Sequence, residues 1–133
     1  PRDGMERRTG EIMIQPLLKP APIQEVDEAL LQEIAARIVK HCRPRRIVLF
    51  GSRAWGTHRR DSDVDLFVEM ESNESPHERR MRIRRLFQGR RWGLDLLVYT
   101  PDEIVAERAI PGTMVPVIER EGRMLYERED SSG

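Results

Sequence analysis

The sequence predicts a mixed α/β domain of the α+β kind, in which helices pack on a small mixed β-sheet. Three observations support this fold class. Segments with helical periodicity alternate with short β-branched and apolar runs, turns rich in Gly and Pro separate them, and the 133 residues are enough for one core. We expect one domain over residues 21–127, a flexible arm at 1–20 and a flexible tail at 128–133.

The first predicted helix begins at Pro22 and extends to about His41. Its apolar residues recur every three or four positions and therefore share one face; they are Ile23, Val26, Leu30, Ile34 and Ile38. The run 46–50 is apolar and β-branched, which predicts a buried strand. A short helix follows it and ends at Gly56.

The remaining elements are predicted from capping and apolar patterns. Residues 75–78 and 100–103 each have the layout of a capping box with proline at the first helical position, so each opens a helix, the first of which extends to about Gln88. A further helix covers 114–119. The strands are 64–70, 94–99 and a short edge strand at 123–127.

Composition excludes several classes of protein. The 23 basic and 23 acidic residues balance, so no uniform field indicates nucleic acid or an acidic membrane as a partner. Cys42 is the only cysteine, which rules out an intramolecular disulfide. No apolar run approaches the roughly 18 residues that a membrane span needs. We expect a cytoplasmic protein with neither membrane nor nucleic acid as partner.

The segment 51–56 joins a buried strand to a helix, where backbone N–H groups can meet an anion. Gly51 allows the backbone to approach a phosphate closely, and the Ser52 hydroxyl can hydrogen-bond a phosphate oxygen. The same dipeptide also makes an ordinary turn from strand to helix. Taken alone, the pattern favours the ordinary turn.

Asp63 and Asp65 stand at the start of a predicted strand, where residues i and i+2 project to the same side. Two such carboxylates repel each other unless a cation neutralises them, and hard oxygen ligands suit Mg²⁺ or Mn²⁺. A solvated acidic turn is the alternative. An EF-hand beginning at Asp61 is excluded, because its sixth position is Leu66 instead of glycine and its twelfth is Ser72 instead of glutamate.

Asp95 lies in the apolar run 94–99, where a lone carboxylate is costly to bury. If this strand pairs with the strand of Asp63 and Asp65, a third carboxylate reaches the same cluster. Such a cluster can hold two metal ions about 4 Å apart for in-line phosphoryl chemistry. The alternative is an aspartate at a fraying strand entrance beside Gly93.

The motifs taken in order resemble the minimal nucleotidyltransferase family of the DNA polymerase β-like superfamily. They are the Gly-Ser pair, the Ser-Asp-Val-Asp-Leu run at 62–66, and an aspartate in a later strand that leads into Thr-Pro-Asp-Glu. The resemblance covers about residues 25–127. It implies a polymerase β-like nucleotidyltransferase fold, Mg²⁺ or Mn²⁺ as cofactor and an NTP as substrate.

The resemblance also implies roles for individual residues. The residues expected to hold the NTP phosphates are Gly51, Ser52 and Arg53. The residues expected to bind metal and to serve catalysis are Asp63, Asp65 and Asp95. The sequence departs from many relatives at Trp55, where they carry arginine; we expect its ring to pack under the short helix.

The same resemblance implies a biological role. Relatives that modify antibiotics or RNA usually carry a further domain for the acceptor, and little of this chain follows the predicted core. Standalone relatives resemble antitoxins that pair with a HEPN-type ribonuclease toxin and adenylylate one of its tyrosines, usually from ATP. The alternatives are a non-enzymatic antitoxin that binds nucleotide or partner, and a transferase that acts on a small molecule or an RNA end.

Seven arginines crowd the helix that follows Pro76 and its exit. They are Arg79, Arg80, Arg82, Arg84, Arg85, Arg90 and Arg91. Because they cover several sides of the helix, the pattern favours a solvated face. A docking surface for an acidic partner or for RNA is the alternative interpretation.

Overall fold

The computed structural model describes residues 24–129, so the predicted arm at 1–20 and the last residues of the predicted tail lie outside it. The elements are α1 (Glu28–Cys42), β1 (Arg46–Phe50), α2 (Ser52–Trp55), β2 (Val64–Glu69), α3 (Pro76–Arg84), a 3₁₀ turn (Arg85–Phe87), β3 (Leu94–Tyr99), α4 (Pro101–Arg108), α5 (Val115–Glu121) and β4 (Arg123–Glu127). In this part of the chain no helix is long and apolar enough to cross a membrane.

The four strands form one mixed sheet in the order β3-β2-β1-β4. β2 pairs with β3 in parallel, whereas β1 pairs with β2 and with β4 in antiparallel fashion. The predicted mixed α/β fold class is therefore confirmed, and β4 is the edge strand that its sequence predicts.

Apolar side chains cover both faces of the sheet, which explains why its central strands read as continuous apolar runs. One face packs against α1, α3 and the 3₁₀ turn through side chains that include Ile34, Ile38 and Ile83. The opposite face packs against α4 and α5 around the fully buried ring of Phe67. The sheet is thus the middle layer of three.

Among the described residues the first helix begins at Glu28; the predicted start at Pro22 lies outside them, and residues 24–27 are not helical. Asp27 caps it, because an oxygen of its side chain accepts a hydrogen bond of 2.9 Å from the backbone N–H of Leu30. The backbone N–H of Gln24 makes a hydrogen bond outside the helix, because it donates to the carbonyl of Arg91, in the turn before β3, at 2.9 Å. The apolar periodicity therefore includes Val26, which is not helical.

Both predicted capping boxes are present. Ser75 and Glu78 exchange hydrogen bonds at the start of α3, and Thr100 and Glu103 do the same at the start of α4. The first of these helices ends at Arg84, earlier than predicted, because the chain tightens into the 3₁₀ turn.

The predicted solvated arginine face is wrong for Arg79, whose side chain is only 3% exposed. Its guanidinium donates to both carboxylate oxygens of Glu103 at 2.7 and 2.8 Å and to the carbonyl of Val98 at 2.8 Å. Arg84 likewise donates to the carbonyl of Leu94 at 2.9 Å. These arginines fasten α3 to β3 and α4, so part of the cluster has a structural role.

A second ion-pair network fastens α5 to β1 and α4. Glu119 accepts hydrogen bonds from Arg108, at 2.9 Å from its Nε, and from Arg46. Arg46 also donates to Glu69 at 2.6 Å. The Arg108 and Arg46 guanidinium groups lower the pKa of Glu119 from 4.5 to about 2, against the opposing effect of burial.

We predict that Glu119→Gln lowers the free energy of unfolding at pH 7 by on the order of 2 kcal/mol. A carboxylate with a depressed pKa stabilises the fold above its unfolded pKa, and this contribution disappears as pH falls from about 4.5 to about 2. Urea unfolding of both proteins across this pH range measures the effect. Glu121→Gln, on the same helix at a more exposed ion pair, is the control and should change little. An equal loss at pH 7 and pH 2 would contradict the assignment.

Candidate active site

The candidate site residues lie at one end of the sheet, where β1 ends and β2 and β3 begin. In the register of the sheet, Asp65 is the neighbour of Phe50 on one side and of Asp95 on the other. Gly51 and Ser52 follow directly from β1. The strand pairing that brings Asp95 beside Asp65 is therefore present, and the phosphate-binding candidates adjoin both.

Gly51 is required for two reasons. Its φ of 75° and ψ of −159° define a backbone conformation that side-chain-bearing residues rarely adopt. A Cβ atom at this position would also stand 2.1 Å from Oδ2 of Asp65. The missing side chain thus makes room for a carboxylate of the chain itself, in addition to any approaching phosphate.

Gly93 likewise makes room for the carboxylate of Asp63, a role that the sequence did not predict. A Cβ atom on Gly93 would lie 1.9 Å from Oδ1 of Asp63. The backbone carbonyl of Gly93 accepts a hydrogen bond of 2.8 Å from the N–H of Val64, which extends the parallel pairing back to this point. The signal available in the sequence was a glycine directly before the strand of Asp95.

The three carboxylates differ in their surroundings. Asp63 and Asp95 are exposed, whereas Asp65 is half-buried. Burial, followed by the negative charges of Asp95 and Asp63, raises the pKa of Asp65 from 3.8 to about 6, and the Arg53 guanidinium opposes this shift. The negative charges of Asp95 and Asp63 thus add to the cost of ionising Asp65, a cost that a bound cation would offset.

Asp95 is exposed. It lies on the edge strand β3, on the sheet face that α4 and α5 cover further along, and its own position is exposed. The cost of burial is therefore no argument for a metal at Asp95. The argument rests on its pairing with Asp65 instead.

Two residues of α2 also depart from simple expectation. Arg53 donates from Nε and Nη2 to the carbonyl of Ser62, at 3.1 and 2.8 Å, and from Nη2 to the carbonyl of Arg60 at 3.1 Å. Trp55 is 46% exposed, so its ring does not pack under the helix as expected. An exposed aromatic ring is therefore close in sequence to Ser52 and Arg53.

The donor chemistry at the site fits Mg²⁺ or Mn²⁺, because both prefer oxygen ligands of this kind. The carboxylates are not yet gathered around a single point: within residues 24–129, no three acidic, histidine or cysteine side chains converge closely enough to enclose a metal ion. Binding would require them to rotate, which the exposure of Asp63 and Asp95 permits.

Comparisons with known proteins agree with this fold. The model of the nucleotidyltransferase domain family matches residues 30–123. A crystal structure of a protein from Sulfolobus solfataricus assigned as a nucleotidyltransferase is similar with a TM-score of 0.55 and 18% identity, over 77% of this chain and 81% of that one. A chain of a toxin–antitoxin crystal structure with AMP-PNP gives a TM-score of 0.51 and 20% identity, over 74% of each chain. No curated protein sequence matches significantly.

We predict that Asp65→Asn raises the stability of the metal-free protein at pH 8 by about 1 kcal/mol. A raised carboxylate pKa means that the charged form is disfavoured in the fold, so the cost is present above pH 6 and disappears below about pH 4. Thermal unfolding in EDTA at both pH values measures it. Asp61→Asn, at an exposed position of the same turn, should leave stability unchanged. A variant that is less stable than the wild type at pH 8 would refute the cost that burial and the neighbouring carboxylates impose on the ionised Asp65.

Proposed function

Because the chain belongs to the nucleotidyltransferase domain family, we propose that it transfers a nucleoside monophosphate from an NTP to a hydroxyl group. One observation carries the proposal: β2 and β3 bring Asp63, Asp65 and Asp95 to the end of the sheet at which Gly51 and Ser52 leave β1. Acidic and phosphate-binding groups thus lie side by side, as transfer from a triphosphate requires.

The proposed roles follow from the chemistry of each group. Asp63 and Asp65 would hold the metal ions, and Asp95 would be a further ligand. Mg²⁺ or Mn²⁺, when bound there, supplies charge neutralisation on the triphosphate and lowers the pKa of the attacking hydroxyl. Ser52 donates its hydroxyl to a phosphate oxygen, and Gly51 leaves the backbone N–H groups of this turn accessible.

The reaction breaks one phosphoanhydride bond of the NTP and forms one phosphoester bond to the acceptor. The acceptor oxygen attacks the α-phosphorus in line, the bond from that phosphorus to the β-phosphate oxygen breaks, and pyrophosphate leaves. The Asp95 carboxylate lies on the exposed edge of the cluster, where it favours loss of the hydroxyl proton. The protein otherwise acts by holding the reacting groups in position.

We propose AMP from ATP as the transferred group and a tyrosine of a HEPN-type toxin as the acceptor, so that the protein acts as an antitoxin in the cytoplasm. The likeness to a chain of a toxin–antitoxin structure with AMP-PNP supports both the partner class and the adenine nucleotide. The openness of the site also supports a macromolecular acceptor, since Asp63 and Asp95 are exposed and accessible to a side chain of another protein.

The acceptor is tested by incubating the protein with α-labelled ATP, Mg²⁺ and the product of the adjacent gene. We expect label on a tyrosine of that partner and loss of the partner's ribonuclease activity. Label on a small molecule or an RNA end instead would replace the proposed acceptor. Neutralisation that persists with Asp63→Ala would instead support a non-enzymatic antitoxin.

We predict that Asp63→Ala lowers the transfer rate by at least about a thousand-fold, because the site loses one of its ion-holding carboxylates. The fold should persist, since Asp63 is exposed and lies before β2. Labelled transfer measures the rate, and circular dichroism checks the fold. Asp61→Ala is the matched control with near-normal transfer. Comparable turnover by Asp63→Ala and the wild type would overturn the role.

Gly93→Ala tests the geometry without removing a carboxylate. The added Cβ would meet Oδ1 of Asp63 at 1.9 Å, so the Asp63 side chain must swing away. We predict that Mg²⁺ affinity falls about ten-fold or more while the melting temperature changes by only a few degrees. Calorimetric Mg²⁺ titration and thermal unfolding measure the two quantities. Unchanged Mg²⁺ affinity would show that this orientation of Asp63 is irrelevant to binding.

A further inference from the structure

The segment from Thr57 to Ser62 delivers Asp63 to the site, and residues 57–61 are exposed. The N–H of Thr57 donates to the carbonyl of Ser52 at 3.0 Å, which ties the start of the segment to α2. Beyond Thr57 the backbone bonds are internal to the segment: the N–H of Arg59 donates to the Ser62 hydroxyl at 2.8 Å, and the N–H of Ser62 donates to the carbonyl of Arg59 at 3.1 Å. A segment of this kind is expected to fluctuate unless something fastens it to the folded domain.

Arg53 provides that fastening. It lies in α2, next to Ser52, and reaches across to the end of the segment, where its three hydrogen bonds go to the carbonyls of Ser62 and Arg60. Both acceptors are backbone atoms, and the first belongs to the residue that directly precedes Asp63. The guanidinium thus connects the Gly-Ser turn with the acidic strand start.

We propose that Arg53 is a positioning residue that ties the segment 60–62 to α2 and thereby sets the position of Asp63, instead of serving as a ligand of the NTP phosphates. The tie itself is a property of the fold, and only its catalytic consequence rests on the proposed function. An arginine suits this role because its planar fork can donate to two carbonyls at once, which an ammonium group cannot reproduce.

The positive charge of Arg53 has a second effect. This charge opposes the upward shift of the pKa of Asp65 that burial and the neighbouring carboxylates cause. One side chain therefore orders the backbone before Asp63 and moderates the repulsion at Asp65. Arg53→Lys keeps the charge and removes the fork, so it separates the two effects.

The experiment is amide hydrogen exchange of the wild type, Arg53→Lys and Arg53→Ala in EDTA, followed at single residues. We expect exchange at the Arg59 and Ser62 amides to be about ten-fold faster in both variants, because the carbonyls that Arg53 holds are released. The Val64 amide, bonded to Gly93, should be unchanged. Arg59→Ala, which removes a neighbouring guanidinium, is the control and should exchange as the wild type does.

Metal and nucleotide titrations complete the test. We expect Arg53→Lys to raise the half-saturating Mg²⁺ concentration about ten-fold and to change the KM for NTP much less. Unchanged exchange together with a raised KM for NTP would overturn the proposal in favour of a phosphate ligand. If the wild type itself transfers no nucleotide, the proposed function fails, whereas the exchange and Mg²⁺ measurements still decide the role of Arg53.

Discussion

The parallel pairing of β2 with β3 is the contact on which the candidate site depends. It places Asp95 beside Asp65, and its extension through the Gly93 carbonyl places Asp63 over a glycine. Neighbouring parallel strands need a crossover, and α3 supplies it. Arg79 and Arg84 fasten this helix to carbonyls of β3, so that two arginines of α3 secure the strand that carries Asp95.

This arrangement has an electrostatic cost. Three carboxylates lie at one end of the sheet, and the pKa of Asp65 is raised there by its burial and then by the negative charges of Asp95 and Asp63. Glycines at 51 and 93 make the approach sterically possible, and Arg53 holds the backbone that leads to the first carboxylate. A site that is destabilising when empty and relieved by a cation is typical of functional sites, which often trade stability for binding.

Most of the fold could be predicted because its signals are local. The strand 94–99 and both capping boxes agree with prediction, since apolar runs and the pattern Ser or Thr, Pro and Glu act over a few residues. The start of α1 could not be predicted from the apolar periodicity. The side chain of Asp27 caps the helix, and the N–H of Gln24 bonds to the carbonyl of Arg91 in a distant turn. Burial of Arg79, exposure of Trp55 and the need for Gly93 all depend on which elements meet in space, which periodicity does not encode.

We propose that cations bind at the end of the sheet formed by Gly51, Asp65 and Asp95. Titrating Mn²⁺ into the isotopically labelled protein, while following paramagnetic broadening of the backbone amide signals, tests this most directly. We expect the amides of these residues and of Asp63 to broaden first, at substoichiometric Mn²⁺. Earlier broadening at the opposite end of the sheet, around Glu69 and Glu127, would contradict it.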